Sequence, residues 1–382
     1  MSRKALVSLV LALAVIFAIA AYQLFEKPNT EVKIGAILPL SGNGASYGKN
    51  MQNGIELSLA QERNQGASAV KVIYEDTRLD PSAAVTAFRR LVSVDDVPVV
   101  LGPFTSSQMM AVGPIAQQQK RVLISATATS PAISSIGDFV FRIIPSDTYD
   151  GRVVANLILA QFPKAKRVAL VIINNDYGAG IRDAFSKVSN GLGLVIAGEF
   201  QFPPGTTDFR VMLQRINTLN PDVIFLVGYK EMGRFLRQKK ELSINKIPVV
   251  STGLMEDPEI VKIAQGGAEG VLYSYPSFNP DSGRGYVSAF VSAFKDQYGK
   301  KPDVIAALGY DLANIIQAAL KNATSTSPQD IRDYLFSIKN FPGVAGNITF
   351  NSDGDVQKTS GVKVIKNGNF QWITETLSIP KE

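Results

Sequence analysis

The sequence predicts an α/β protein built of two doubly wound parallel-sheet lobes. Three observations carry that reading. Buried-strand runs alternate with helically spaced stretches, the order expected of parallel sheets covered by helices. The alternation runs through twice, with a join near residues 144–147. The chain of 382 residues, 46% hydrophobic and 19% charged, is long enough to fill two cores.

Residues 1–25 read as an export segment. Arg3 and Lys4 precede an apolar run from Ala5 to Tyr22 broken only by Ser8, and Ala18-Ile19-Ala20 offers a small-x-small cleavage site. The run also reaches the lower limit of a membrane span, about 18 residues. Two outcomes therefore stand, a cleaved signal peptide or a retained N-terminal anchor. Either places the rest of the chain in the periplasm or on the extracellular face. Residues 26–31 form a polar linker containing Pro28.

Residues 32–38 are an apolar run stopped by Pro39 and read as a buried strand. Met51, Ile55 and Leu59 give residues 48–60 helical spacing. Residues 70–74 read as a strand. Pro81 after Asp80 suits a first helical position, and that helix runs to Leu91. A strand at 97–101, a helix at 109–118 and a strand at 122–124 complete the first series. The second series has a helix at 153–160, a strand at 168–173, and helices at about 180–188 and 209–219. A strand at 223–227, a helix at 232–239 and a strand at 249–250 follow. Helices at about 286–297 and 306–321 come next. The end of the chain is β-rich, at 348–350 and 362–372, with Asn367-Gly368 as a hairpin signal.

Composition excludes much chemistry. Cysteine and histidine are both absent. No disulfide, thiolate nucleophile, imidazole base or Cys/His zinc site can form. The net charge of +6 is scattered, with no basic stripe interleaved with aromatics, so no nucleic-acid partner is expected. Gly42-Asn43-Gly44 evokes a dinucleotide fingerprint, but Tyr47 stands where its last glycine belongs. Gly48-Lys49 evokes a P-loop, but Asn43 and Asn50 occupy the required glycine and hydroxyl positions. Glu75, Asp76 and Asp80 read as loop and capping acids, and no regular calcium loop exists. No enzyme activity, cofactor or metal is expected.

The functional signal lies where strands end and helices begin, the edge at which such sheets bind ligands. The segments there are PLSGNGASYG after the first strand, GPFTSS after the third and SATATSP after the fourth. They are rich in glycine, hydroxyls and helix-start N–H groups, a combination that favours a carboxylate. No Arg or Lys stands in them for a phosphate. The second series adds NNDYG and GYKE, each with a tyrosine able to wall off a ligand.

These segments resemble the periplasmic leucine/isoleucine/valine-binding protein family, the type I solute-binding proteins of branched-chain amino acid ABC importers. The matching stretches are IGAILPLSGNGASYGKNMQNGIEL, VVLGPFTSS, LISATATSPAI, FRIIPSD, NNDYGAGI, TTDFRVML, GYKEMGRFLRQ, DPEI and LGYDLA, in that order. The resemblance implies the type I periplasmic-binding-protein fold, with a three-strand hinge. It implies a first lobe of residues 32–145 and 275–346 and a second of 146–274 and 347–382. It also implies a role for each loop. Ser106 would bind the ligand carboxylate, and Thr127 and Thr129 its carboxylate and amino ends. Tyr47 would cover the side-chain pocket, and Tyr177 and Tyr229 would close from the second lobe. The family's ammonium-binding acid falls near Gly253 in this chain, which leaves Glu256 as the candidate.

The function so implied is capture of an amino acid or similar small carboxylate by hinge closure. A monomer would then deliver it to an ABC permease. The alternative is a membrane-anchored ligand sensor using the same flytrap.

Overall fold

The computed structural model describes residues 31–65, 70–276 and 278–377. The expected export segment and most of the linker lie outside the described residues. The first lobe begins with β1 (Val32–Leu38), α1 (Ala45–Asn64), β2 (Val70–Asp76), α2 (Pro81–Ser93) and β3 (Val99–Leu101). It continues with α3 (Ser106–Gln118), β4 (Val122–Ser125) and β5 (Val140–Arg142). Its five strands are all parallel, in the order β2-β1-β3-β4-β5. That order reverses direction between β1 and β3, which opens a crevice at their carboxyl ends.

The second lobe repeats the pattern. It contains α4 (Asp147–Gln161), β6 (Arg167–Ile173), α5 (Asp176–Ser189), β7 (Val195–Phe202), α6 (Arg210–Leu219) and β8 (Val223–Val227). Then come α7 (Glu231–Glu241), β9 (Val249–Ser251), α8 (Pro258–Ala264) and β10 (Leu272–Pro276). Helices α9 (Gly285–Tyr298), α10 (Val304–Asn322) and α11 (Pro328–Ser337) return to the first lobe, where α10 packs along α1. The hairpin β11 (Ser360–Lys366) and β12 (Asn369–Thr374) then closes the second sheet, ordered β12-β11-β10-β9-β8-β6-β7. Its turn uses Asn367 and Gly368 with φ of 52° and 72°, the left-handed pair that the sequence Asn-Gly favours.

The chain therefore passes between sheets three times. The first crossing follows β5, near the join read from the sequence. The second comes just after Pro276, where β10 ends. The third lies later than the expected 347. The bridge between Phe350 and Val356 stays with the first lobe, and the Arg142 N–H donates to the Gly354 carbonyl at 3.0 Å.

Helix α10 is apolar enough by composition to cross a membrane. It is instead a core helix, mostly buried against α1. The approach depends on two glycines. A Cβ on Gly54 would lie 2.0 Å from the Ala306 carbonyl oxygen, and one on Gly309 would lie 2.3 Å from that of Met51. Both neighbours are backbone and cannot rotate away. Gly54→Ala is expected to cost about 1–3 kcal/mol through overpacking, read as a lower urea midpoint at unchanged m-value.

Candidate functional site

The two crevices face each other, and a cavity of about 340 Å³ lies between them. That volume suits an amino-acid-sized molecule. Tyr47, Ser106, Thr127, Thr129, Tyr177, Tyr229 and Glu256 all line it. The fold thus brings together every residue that the sequence singled out, although they span more than half of the chain.

One end is built from hydroxyls. Thr105 caps α3 through a capping box with Gln108, which places Ser106 at the first helical position. The Ser106 side chain is buried, and its Oγ accepts the N–H groups of Thr129 and Ser130 at 3.2 and 3.1 Å. Its own proton remains available to a ligand oxygen. Thr129 is 6% exposed, and its hydroxyl has no hydrogen-bond partner of ordinary geometry, although the Asp147 carboxyl lies beside it. Thr127 differs. Its hydroxyl donates to the Phe104 carbonyl at 2.6 Å, which leaves its oxygen able only to accept. Ser106 and Thr129 therefore suit a carboxylate, and Thr127 suits an amine.

Arg142 holds this loop in place. Its guanidinium is fully buried and donates to the carbonyls of Thr129 and Ser130 at 2.9 and 2.8 Å. It also makes a bidentate pair with Asp355 at 2.6 Å on both arms and reaches Ser134 at 2.7 Å. Nothing in the sequence distinguished Arg142 from a surface arginine at a strand end.

The second lobe supplies the opposite wall. Asn175 caps α5 by accepting the Gly178 N–H at 2.9 Å, which turns Tyr177 toward the cavity. The Tyr177 hydroxyl bonds Thr252 at 2.6 Å, and its ring stacks on Tyr229 with centroids 6.0 Å apart. The lobes touch at the rim. Ser107 Oγ accepts the Asp176 N–H at 3.3 Å. Lys230, paired with Glu259, stands 5.7 Å above the Tyr47 ring, which stacks on Phe104. Burial, with Asp257 alongside, pushes the Tyr47 phenol well above its usual range.

Five carboxylates line the cavity, and no Lys or Arg does. Glu256 is already neutralised, because it accepts from Lys363 at 2.6 Å and from the Tyr273 hydroxyl at 2.7 Å. Glu259 is held by Lys230. Asp257 caps α8 through the Glu259 N–H, and Asp303 caps α10 and accepts from Asn50. Asp150 is different: no hydrogen bond or salt bridge to its carboxylate exists among the described residues. Burial alone pushes it up to about 7. The sequence reading missed Asp150, Asp257 and Asp303. Asp257 and Asp303 look like helix caps, while Asp150 lies within an acidic first turn of α4 that reads as dipole solvation.

The raised Asp150 makes a pH prediction for the ligand-free protein. The folded state holds this proton more tightly than the unfolded chain does. Its contribution to stability is full below about pH 4 and is lost as the pH rises through about 7. Asp150→Asn removes that dependence. The melting temperature of the variant minus that of wild type should therefore be larger at pH 8 than at pH 5.

Residues 31–368 match the family described as periplasmic binding protein. The chain belongs to the periplasmic binding protein family. This is a family of solute-binding proteins and not of enzymes. Among similar chains is the Leu/Ile/Val-binding protein BraC3 of Rhizobium johnstonii, 27% identical over 338 residues, with 87% of this chain and 90% of that one covered. A leucine binding protein LivK from Thermotoga maritima superposes with a TM-score of 0.84 at 27% identity, covering 89% of this chain and 97% of the other. The branched-chain amino acid transporter substrate binding protein LivJ from Streptococcus pneumoniae, solved with isoleucine, gives 0.82 at 26%, covering 90% and 100%. Two lobes of the type I periplasmic-binding-protein fold are thus shared across the superposed length.

Proposed function

We propose that this protein is the extracytoplasmic substrate-binding component of an ABC importer. It captures an amino acid or closely similar small carboxylate between its lobes and presents it to a membrane permease. The observation that carries this reading is the pair of buried hydroxyls, Ser106 and Thr129, that line the cavity between the lobes. Relatives described as binding leucine, isoleucine or valine support the ligand class. So does the lack of any lining Lys or Arg, since neutral donors suit a carboxylate better than a phosphate.

The three crossings act as the hinge between the lobes. The ligand docks first on the hydroxyl end of the first lobe. Closure then brings Tyr177 and Tyr229 over it. Contacts with the second lobe exist only in the closed state, and this difference is what shifts the population. The protein works in the periplasm as a monomer.

A thermal-shift screen with amino acids, aromatic acids, short amides and phosphate tests the ligand class. At least one carboxylate should raise the melting temperature in a concentration-dependent way, and inorganic phosphate should not. A screen in which no carboxylate shifts the transition removes this reading.

A further inference from the structure

We infer that Asp147 is a positioning residue for the ligand carboxylate: it acts through the Thr129 hydroxyl and must carry a proton for that hydroxyl to donate to the ligand. Affinity for a carboxylate is therefore greater in mild acid than in mild alkali. This rests on the binding reading above and adds a proton to it.

Asp147 stands behind the binding wall. It is the first residue of α4, directly after the Ser146 cap, and it is fully buried. Thr129 lines the cavity, and Asp147 lies behind that lining. The backbones of the two residues are joined, because the Asp147 N–H donates to the Thr129 carbonyl at 2.8 Å. Arg142 donates to the same carbonyl at 2.9 Å. The Thr129 backbone is thus held from two sides, and its hydroxyl proton is the part that can still turn. Three buried polar atoms here lack a hydrogen bond of ordinary geometry: Thr129 Oγ1 and both carboxyl oxygens of Asp147. They lie beside one another. The second lobe covers them. A Cβ on Gly180 of α5 would stand 3.1 Å from Asp147 Oδ2 and 2.8 Å from Pro131.

Thr129 has a single hydroxyl proton, which either Asp147 or the ligand can take. An ionised Asp147 only accepts, so it draws that proton and turns the Thr129 lone pairs toward the ligand. A ligand carboxylate then meets an acceptor with a like charge behind it. A protonated Asp147 reverses this arrangement. It donates to Thr129 Oγ1, and the Thr129 proton turns to the ligand carboxylate. Burial, with Asp150 nearby, pushes the Asp147 carboxyl well above the usual carboxylate range, against the pull of the Thr129 hydroxyl and Arg142. An arriving carboxylate adds a like charge and holds the proton more firmly still. Binding therefore takes up a proton wherever the free protein lacks it, and affinity falls as the pH rises through the titration of the free protein. The charged and titratable groups acting on Asp147 are Asp150 on its own helix, Arg142 of β5, Tyr177 of α5 and Tyr229 after β8. Burial pushes both phenols up, so neither ionises in this range.

The test is calorimetric titration with whichever of leucine, alanine, phenylalanine and benzoate gives the largest thermal shift. Asp147→Asn places a permanent donor of the same shape beside Thr129. At about pH 8.5 this variant should bind about tenfold or more tighter than wild type, the scale of one charge-assisted contact, and at about pH 5.5 within about threefold of it. In a Thr129→Val background the same substitution should change affinity by less than about threefold at either pH. A ratio of variant to wild-type affinity that is the same at both pH values overturns the inference, since a merely structural role moves both alike. An effect that survives Thr129→Val also overturns it. Should Asp147→Asn fail to fold, titration at about pH 8.5 in two buffers of different ionisation heat must show net proton uptake, in Asp150→Asn as in wild type. Absence of that uptake overturns the inference. Failure of all four acids to bind wild type overturns the binding reading as well, whereas binding with a pH-independent ratio overturns only the inference.

Discussion

Arg142→Met lowers the free energy of unfolding by about 3–5 kcal/mol. The arginine is buried with no exposure and is shared among Asp355, Ser134 and two loop carbonyls. Its removal leaves Asp355, with a side-chain exposure of 14%, facing a gap with an uncompensated charge. It also frees the carbonyls of Thr129 and Ser130, which buried backbone rarely tolerates. Because Thr129 lines the cavity proposed to hold the ligand, affinity is expected to fall along with stability. Two effects on one residue can be separated. Asp355→Leu combined with Arg142→Met should recover much of the stability, since an apolar pair of similar volume can replace a buried ion pair. The carbonyls remain unheld, so affinity should stay low. Urea titration measures the first effect and calorimetry the second. A single Arg142→Met variant within 1 kcal/mol of wild type would falsify the clamp.

The double variant Ser106→Ala, Thr129→Val loses ligand affinity by a factor of about 10² to 10⁴. On the proposed binding mode each hydroxyl donates to an ionised carboxylate, a contact worth ~1.5–3 kcal/mol. Stability falls less. Ser106 Oγ accepts two loop N–H groups, so its loss unsettles the loop, while the Thr129 hydroxyl has only the Asp147 carboxyl beside it. Thr127→Val should behave differently. It removes a hydroxyl bonded to the Phe104 carbonyl, so it affects the loop as well as the amine end. Equal binding by wild type and the Ser106/Thr129 variant, at matched folding, removes those hydroxyls from the site.

Much of this was legible in the sequence, for physical reasons. The central strands are largely buried on both faces and read as apolar runs, broken only by Lys33 in β1 and Arg167 at the start of β6. The hydroxyl and tyrosine loops stand directly after those strands, so position in the chain predicts position in the cleft. The edges were less clear. β7 mixes Gly198, Glu199 and Gln201 among its apolar residues because one face is open to solvent. β5 is three residues long and ends at Arg142. α8 is short, β10 is split by Ser274, and α11 is mostly polar, so none of the three showed a strong period.

The acids show a different limit. Whether a carboxylate is free depends on partners far away in the chain. Lys363 reaches Glu256 across more than a hundred residues, and no local pattern reports that. Likewise, Asp150 stands out only because nothing meets it. Arg142 is the converse case. Its importance comes from Asp355, brought beside it by the first-lobe segment that precedes the third crossing.

The most direct test of the account is a crystal structure with the acid that gives the largest thermal shift. The account predicts one molecule between the lobes, with its carboxylate within about 3.2 Å of Ser106 Oγ and Thr129 Oγ1 and Tyr177 and Tyr229 closed over it. A ligand bound outside this cavity, or one whose carboxylate points away from both hydroxyls, would contradict it.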